Sequence, residues 1–288
     1  MLAALDVALV RRPAYLTLAP LALIAANVIW GGSAVATKAA LDHVPPLTLA
    51  CIRLAIAYAV LRPLVARIGE RPTRGPDSML LGLTGVALFC LLQNVGLRYA
   101  SAANTALING AIPIMTAGLA TLTLKERLNS RQCVGFLVSL AGVTTIVLVG
   151  QDATLRASVL ANLLPLASAL SFAVYAVLGR RVFGERNALA IVTGSTRYGL
   201  LFLLPAAGLE LALLGVAALT LHDALLLLYL GIGCSGLAFV LWGYGLTHYR
   251  ASQGAVFGNL KPLAGSSWLS ACLGSRSPPV KSPAAPSS

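Results

Sequence analysis

The sequence predicts an all-α polytopic membrane protein built from two inverted repeats of five transmembrane helices. Composition indicates the membrane class, because 58% of the 288 residues are hydrophobic, 10% are charged and the mean hydropathy is +0.84. A soluble core cannot bury so much apolar surface, whereas a bilayer accommodates it in helices of about 20 residues. An internal repeat predicts the division into two halves.

The apolar segments have the length of membrane-spanning helices, and short polar turns separate them. In the first half we place them at Tyr15 to Ala39, Pro46 to Ala66, Ser78 to Leu97, Ala102 to Leu124 and Gln132 to Val149. In the second half they run from Ala157 to Leu178, Leu189 to Leu209, Ala224 to Leu246 and Ser252 to Cys272. Nine helices are therefore apparent, followed by a Ser- and Pro-rich tail at 275–288 that we expect to be disordered.

Basic residues concentrate in the loops on one side of the predicted helices. Arg67, Arg71 and Arg74 follow the second helix, and Arg180 and Arg181 follow the sixth. Because cytoplasmic loops retain Lys and Arg during insertion, residues 1–14 are expected to be cytoplasmic and the protein to lie in the inner (plasma) membrane. The same bias explains most of the net charge of +12. No basic face with interleaved aromatics occurs, so nucleic acid is not an expected partner.

An internal repeat links the two halves of the chain. The stretch "GLRYASAANTALINGAIP" from Gly96 to Pro113 matches "GLTHYRASQGAVFGNLKP" from Gly245 to Pro262 at an offset of 149 residues. The first helix of each half also carries an aromatic residue, Trp30 or Phe172, and ends in a basic residue, Lys38 or Arg180. Because an odd number of spans separates equivalent helices, the repeats are expected to be inverted.

These residues resemble the drug/metabolite transporter superfamily, and within it the EamA-type transporters. The likeness rests on "IWGGSAVATKAAL" from Ile29 to Leu41, on "NVGLRYASAANTALINGAIPIMTAGLATLTLKERL" from Asn94 to Leu128, and on "LWGYGLTHYRASQGAVFGNLKPLAG" from Leu241 to Gly265. The resemblance implies two EamA repeats, which we place at 15–150 and 157–274, the second with only four helices. It also implies ten helices, both termini in the cytoplasm and a central cavity for solute export or exchange.

The sequence departs from the family pattern after Gly265, where "SSWLSACLGSRSPPVKSPAAPSS" provides no tenth helix. With GC-rich codons, which are assumed, a shifted reading frame restores an apolar stretch and a glutamate at the repeat offset from Glu126. We therefore expect a truncation or frameshift near Gly265. The alternative is a natural tail on a nine-helix variant.

Three basic residues lie well inside predicted helices, away from the helix ends, namely Arg53, Arg197 and Lys261. A charged side chain in hydrocarbon is costly unless it faces a cavity or a partner, so these three are the leading candidates for substrate binding. No acidic residue lies well inside a span, which favours a substrate with negative charge. Alternatively, Arg53 and Arg197 reach a membrane interface or hold backbone carbonyls.

Polar and aromatic residues, most of them on the other predicted helices, are further candidates for the cavity. The set comprises Trp30, Asn94, Asn104, Asn109, Tyr175, Trp242 and Asn259. Alternatively, the asparagines hydrogen-bond between helices and the aromatics anchor the helices at the membrane interface. Pro113 and Pro262 are expected to kink their helices and free backbone carbonyls.

The motifs of enzymes, metal sites and cofactor sites do not occur in a suitable context, so no catalytic residue, metal or cofactor is predicted. The sequence therefore favours a transporter that exports or exchanges a small metabolite, amino-acid-like or another small organic solute, by alternating access. Expected partners are this solute and the lipid bilayer, with a homodimer as a further expectation. The alternatives are a membrane scaffold, a membrane-embedded enzyme and a truncated transporter without function.

Overall fold

The computed structural model describes residues 12–125, 134–135, 155–184 and 187–261, and all of its regular elements there are helices. In the first half these are α1 (Arg12–Gly31), α2 (Ser33–Ala40), α3 (Pro46–Arg67), α4 (Pro76–Tyr99), α5 (Ala102–Asn109) and α6 (Ile112–Leu124). In the second half they are α7 (Leu155–Phe183), α8 (Ala188–Leu214), α9 (Leu221–His248) and α10 (Ala251–Val256).

Seven stretches of the described residues are long and apolar enough to cross a membrane. They confirm the predicted all-helical, polytopic class. The predicted fifth helix and most of the ninth lie outside the described residues, as do Pro262 and the tail, so the count of nine and the expected frameshift stay predictions.

Contacts at the helix ends show that α4 and α9 run in opposite directions. Near the start of α4, Thr73 donates its backbone N–H to the Ala190 carbonyl, and near its end Arg98 donates to the Leu41 carbonyl. Conversely, α9 begins beside His43 and ends where Arg180 donates to the Leu246 carbonyl. Thr73, Ala190 and Arg180 lie on what we call the basic side, and Leu41 and His43 lie on the opposite side. The repeats are therefore inverted, as predicted.

The two repeats interlock because α3 packs on α8, α4 on α7 and α8, and α9 on α1 and α3. Each of the long helices α4 and α9 contains a π-helical segment, at Gly82–Leu88 and Tyr229–Leu237. A Cβ on Gly82 would lie 2.5 Å from the Ser195 carbonyl oxygen in α8, and one on Gly231 would lie 2.7 Å from the Ile56 Cβ in α3. Glycine thus permits equivalent close contacts between the repeats.

Two predicted helices are interrupted. The first divides at Gly32 into α1 and α2, and the fourth divides at Gly110 and Ala111 into α5 and α6. Pro113 lies in the first turn of α6, where its missing N–H needs no partner. The expected kink is therefore a complete break of the helix before the proline.

Candidate functional site

A small cavity lies between the repeats, beside the break that separates α1 from α2. Its volume is about 20 Å³, which accommodates about one water molecule. The residues that line it come from both repeats: Trp30, Gly31, Ser33, Ala34, Arg53, Phe89, Gln93, Asn109, Phe172 and Lys261. Four of the sequence candidates, Trp30, Arg53, Asn109 and Lys261, are therefore brought together here.

Arg53 is buried within the protein, with 2% of its surface exposed. Its Nε donates a hydrogen bond of 2.7 Å to Ser235 Oγ in the π-helical segment of α9. Its Nη1 is buried and has no hydrogen-bond partner among the residues that the structure describes. The guanidinium therefore does not reach the membrane interface, and it retains donors for an anionic group in the cavity.

Lys261 contributes the second cation of the cavity. Its Nζ lies 4.4 Å from the centroid of the Trp30 ring and 4.9 Å from that of the Phe172 ring. Both distances are within the range of cation–π contacts, in which the ring face attracts the ammonium. No aspartate or glutamate is among the described residues that line the cavity. An anionic ligand would therefore meet two positive groups and no carboxylate.

An aromatic cluster borders the cavity, and its members Trp30, Phe89 and Phe172 line it. Trp30 meets Phe172 edge to face, with ring centroids 5.4 Å apart, and lies 5.7 Å from Trp242, while Tyr175 lies 5.5 Å from Phe172. Trp30 Nε1 donates to the Cys234 carbonyl at 2.9 Å. Trp30, Tyr175 and Trp242 are all buried, which excludes a role as anchors at the membrane interface. The cluster gives the cavity a rigid apolar wall.

The predicted asparagines occupy different environments. Asn109 donates at 3.2 Å to Gln93 Oε1, and both residues line the cavity. Asn94 donates at 3.0 Å to the Pro46 carbonyl and so connects α4 to α3. Asn104 lies in the first turn of α5, away from the cavity lining. Asn259 is in a short 3₁₀ turn after α10, and its side chain lies outside the description.

Arg197 does not line this cavity, although the sequence suggests that it is the counterpart of Arg53. The pairs Trp30 and Phe172, and Lys38 and Arg180, are each 142 residues apart, and this spacing pairs Arg53 with Ser195. A shift of two residues turns a helical side chain by about 200°. Arg197 accordingly lies in a different pocket, on the basic side, with Tyr58, Arg62, Arg71, Pro72 and Arg74.

The structure also adds residues that the sequence does not single out. Phe89 and Ser33 line the cavity, Phe239 lies 5.3 Å from the Trp30 ring, and Ser235 is the partner of Arg53. An isolated serine in the apolar stretch before Trp242 is the one signal that could have indicated a partner for a buried arginine. The phenylalanines occur in uniformly apolar stretches and give no such signal.

Comparison with known proteins identifies the family to which this chain belongs. The EamA-like transporter family matches residues 17–148 and 159–280, which is most of the chain. The chain belongs to the EamA-like transporter family. It is therefore a multi-pass membrane protein, and its general activity is membrane transport.

Individual relatives and a solved structure agree with this assignment. The chain is 28% identical to an "uncharacterized transporter" of Bacillus subtilis, YetK, over 84% of this chain and 76% of that protein. It is 27% identical to a "probable amino-acid metabolite efflux pump" of Salmonella typhimurium, over 86% and 84%. It is 26% identical to a "probable terminal-alkyne amino-acid exporter" of Streptantibioticus cattleyicolor, over 81% and 77%. A crystal structure with 24% identity covers 91% of each chain with a TM-score of 0.72, which supports the fold.

Proposed function

We propose that this transporter moves a small amino-acid-like solute that carries a negative group, through the cavity between its two repeats. The observation that carries the proposal is the pair of cations, Arg53 and Lys261, in a lining whose described residues include no carboxylate. A carboxylate of the solute would pair with the free Arg53 donors and offset the cost of burying that charge. The names of two relatives, the exporter of Streptantibioticus cattleyicolor and the efflux pump of Salmonella typhimurium, refer to amino acids or their metabolites, which is consistent with this class.

The aromatic residues of the cavity would contact the apolar part of the solute. Trp30 and Phe172 line the cavity together with the polar pair Gln93 and Asn109, and the Trp242 ring packs against Trp30. An amphipathic solute would orient its charged end toward Arg53 and its apolar part toward the rings. This arrangement favours amino-acid-like solutes over inorganic ions, which do not need an apolar wall.

The cavity opens alternately to each side in this proposal, because its present volume is too small for such a solute. On the opposite side, Glu210 accepts hydrogen bonds from the backbone N–H and the hydroxyl of Thr48, and His43 contacts Asp223. On the basic side, Thr73 and Ala190 join α8 to the loop before α4. These contacts connect one repeat with the other, and opening to either side requires one set to separate.

The orientation follows from the distribution of charge. The basic side carries Arg67, Arg71, Arg74, Arg180 and Arg181, and we infer that it faces the cytoplasm of the inner membrane, with the N-terminus inside. Export is then movement from the basic side to the opposite side.

Flux measurements with labelled amino acids in proteoliposomes test this function. Arg53→Gln and Lys261→Met should each reduce flux about tenfold or more, the effect of one lost charge-assisted hydrogen bond or ion pair. Arg67→Gln is the matched control, because Arg67 is exposed at the end of α3. Monodisperse elution in size-exclusion chromatography establishes that each variant is folded. Undiminished flux in Arg53→Gln would contradict the role of the cavity, and no flux of any solute with the wild type would favour a scaffold.

A further inference from the structure

A second pocket, which we call the arginine pocket, lies on the basic side and is lined by Tyr58, Arg62, Arg71, Pro72, Arg74 and Arg197. Its volume is about 470 Å³, far larger than that of the central cavity. Its four arginines come from α3, from the loop between α3 and α4, and from α8. No acidic residue of the described chain lines it.

The loop that carries Arg71 and Arg74 is fixed against α8. Thr73 donates its N–H to the Ala190 carbonyl at 3.1 Å, and its hydroxyl lies 2.6 Å from Ser78 Oγ. A Cβ on Gly194 would lie 2.4 Å from the Thr73 carbonyl oxygen, so only glycine allows the loop to approach α8 this closely. The two arginines on either side of Thr73 are consequently held near Arg197 and Arg62.

The orientation of the protein in the membrane does not by itself explain why four arginines meet in one pocket. The rule that basic residues favour the cytoplasmic side explains why arginines are frequent here, and exposed Arg67 satisfies it without lining the pocket. Within the described residues, no carboxylate lies within 4 Å of these four guanidiniums. Their mutual repulsion is therefore unrelieved by the protein, and an anion would relieve it.

The neighbouring surface indicates what kind of anion fits. Leu201 and Leu204 lie one and two turns along α8 from Arg197, on the same face of the helix, with 49% and 53% of their surfaces exposed. In a membrane protein such exposed leucines contact acyl chains. The arginine pocket therefore lies beside the lipid-facing leucines Leu201 and Leu204, at the level expected for phospholipid headgroups. Guanidinium groups recognise phosphate oxygens in a bidentate manner.

We propose that the arginine pocket binds a phosphate group, and that the phosphate belongs to the headgroup of an anionic phospholipid. The lipid would join the loop after α3 to α8 and so stabilise the contact between the repeats on the basic side. This site is separate from the central cavity, and its occupancy does not depend on the identity of the transported solute.

The test is thermal denaturation of the purified full-length protein in detergent, with titration of phosphatidylglycerol, phosphatidylcholine or inorganic phosphate. We expect phosphatidylglycerol alone to raise the midpoint. The double variant Arg71→Gln/Arg197→Gln should need about tenfold or more phosphatidylglycerol for the same rise, since each basic residue contributes to attraction by an anionic headgroup. Arg67→Gln, the matched control, should respond like the wild type.

Each other outcome has a defined meaning. An equal response to inorganic phosphate would assign the pocket to a free anion and overturn the lipid source. An equal response to phosphatidylcholine, whose headgroup also carries a phosphate, would overturn the assignment to an anionic lipid. The same loss in Arg67→Gln as in the double variant would overturn the site itself. If the double variant does not fold, the single variant Arg74→Gln replaces it, and an unchanged response there would also overturn the site. Solute flux is not needed for any of these measurements.

Discussion

The two repeats share a structural frame but differ in the residues that they present to the central cavity. Lys38 and Arg180 occupy equivalent positions, and each donates to the carbonyl of an equivalent residue, Leu97 or Leu246, near the end of α4 or α9. In contrast, Gln93 in the first repeat corresponds to Trp242 in the second at the 149-residue offset. Positions that hold the helices together have the same chemistry in both repeats, whereas positions in and around the central cavity differ.

If the proposed function holds, this difference assigns substrate specificity to the residues that are not shared between the repeats. The first repeat supplies Gln93 and Asn109, and their counterparts Trp242 and Gly258 provide an aromatic ring and a helix contact beside Pro113. Gln93 and Asn109 therefore line the cavity directly, whereas Trp242 contributes to the aromatic cluster through its contact with Trp30. A duplicated frame can in this way surround a solute that is itself asymmetric.

The largest change in stability is expected from a substitution that disturbs the close packing between the two repeats. Gly85 packs against Tyr175, and an added Cβ would lie 2.1 Å from the ring atom Cδ2, so Gly85→Ala should reduce the free energy of unfolding by about 2 kcal/mol. Gly208 in α8 has no atom within 4 Å of an added Cβ, and Gly208→Ala should be neutral or stabilise by about 0.5 kcal/mol. Denaturation midpoints of the two variants measure the contrast, and equal midpoints would contradict the packing described here.

A smaller difference in stability is expected between variants of the two equivalent basic residues, Lys38 and Arg180. Lys38 Nζ donates to the carbonyls of Leu97 at 2.6 Å and Ala100 at 3.1 Å, whereas Arg180 Nη1 donates to the Leu246 carbonyl at 3.1 Å. Lys38→Met should therefore cost about 2 kcal/mol of unfolding free energy and Arg180→Met about 1 kcal/mol. The same denaturation measurement applies. A greater cost for Arg180→Met would show that the two contacts are not equivalent in function.

The smallest effect concerns pH and the contact between His43 and Asp223, which joins the repeats on the opposite side. The hydrogen bond to Asp223 and its negative charge raise the pKa of His43 above its usual 6.5, because both favour the protonated ring. A pKa that is higher in the folded chain stabilises the fold below the unfolded value. That stabilisation is lost as the pH rises through the folded pKa.

The denaturation midpoint of the wild type should therefore exceed that of His43→Gln below pH 6.5 and approach it at higher pH. The difference should be small, because the His43 side chain is 43% exposed. His222→Gln is the control, since His222 is exposed at the start of α9. A difference for His43→Gln that grows with pH would reverse the assigned sign.

The sequence predicts the fold better than it predicts the site, and particular residues show why. Hydropathy reports length and burial along one helix, so α3, α4, α8 and α9 were placed within a few residues. Pro113 indicates a disruption of the fourth predicted helix, but hydropathy does not report the break at Gly32 or the π-helical segments, which pack against the other repeat. Arg53 and Arg197 look equivalent because each lies early in the second helix of its half, yet a shift of two residues along the helix places them in separate pockets.

Accessibility of the central cavity from both sides tests the central claim most directly. Ser33 lines the cavity, so Ser33→Cys, made with the native cysteines replaced, should react with an impermeant thiol reagent added to either side of the membrane. Glu70→Cys, in the exposed loop after α3, should react only from the cytoplasmic side. A transported amino-acid-like solute should protect Ser33→Cys and leave Glu70→Cys unaffected. Reaction of Ser33→Cys from one side only, or without protection by the solute, would contradict alternating access through this cavity.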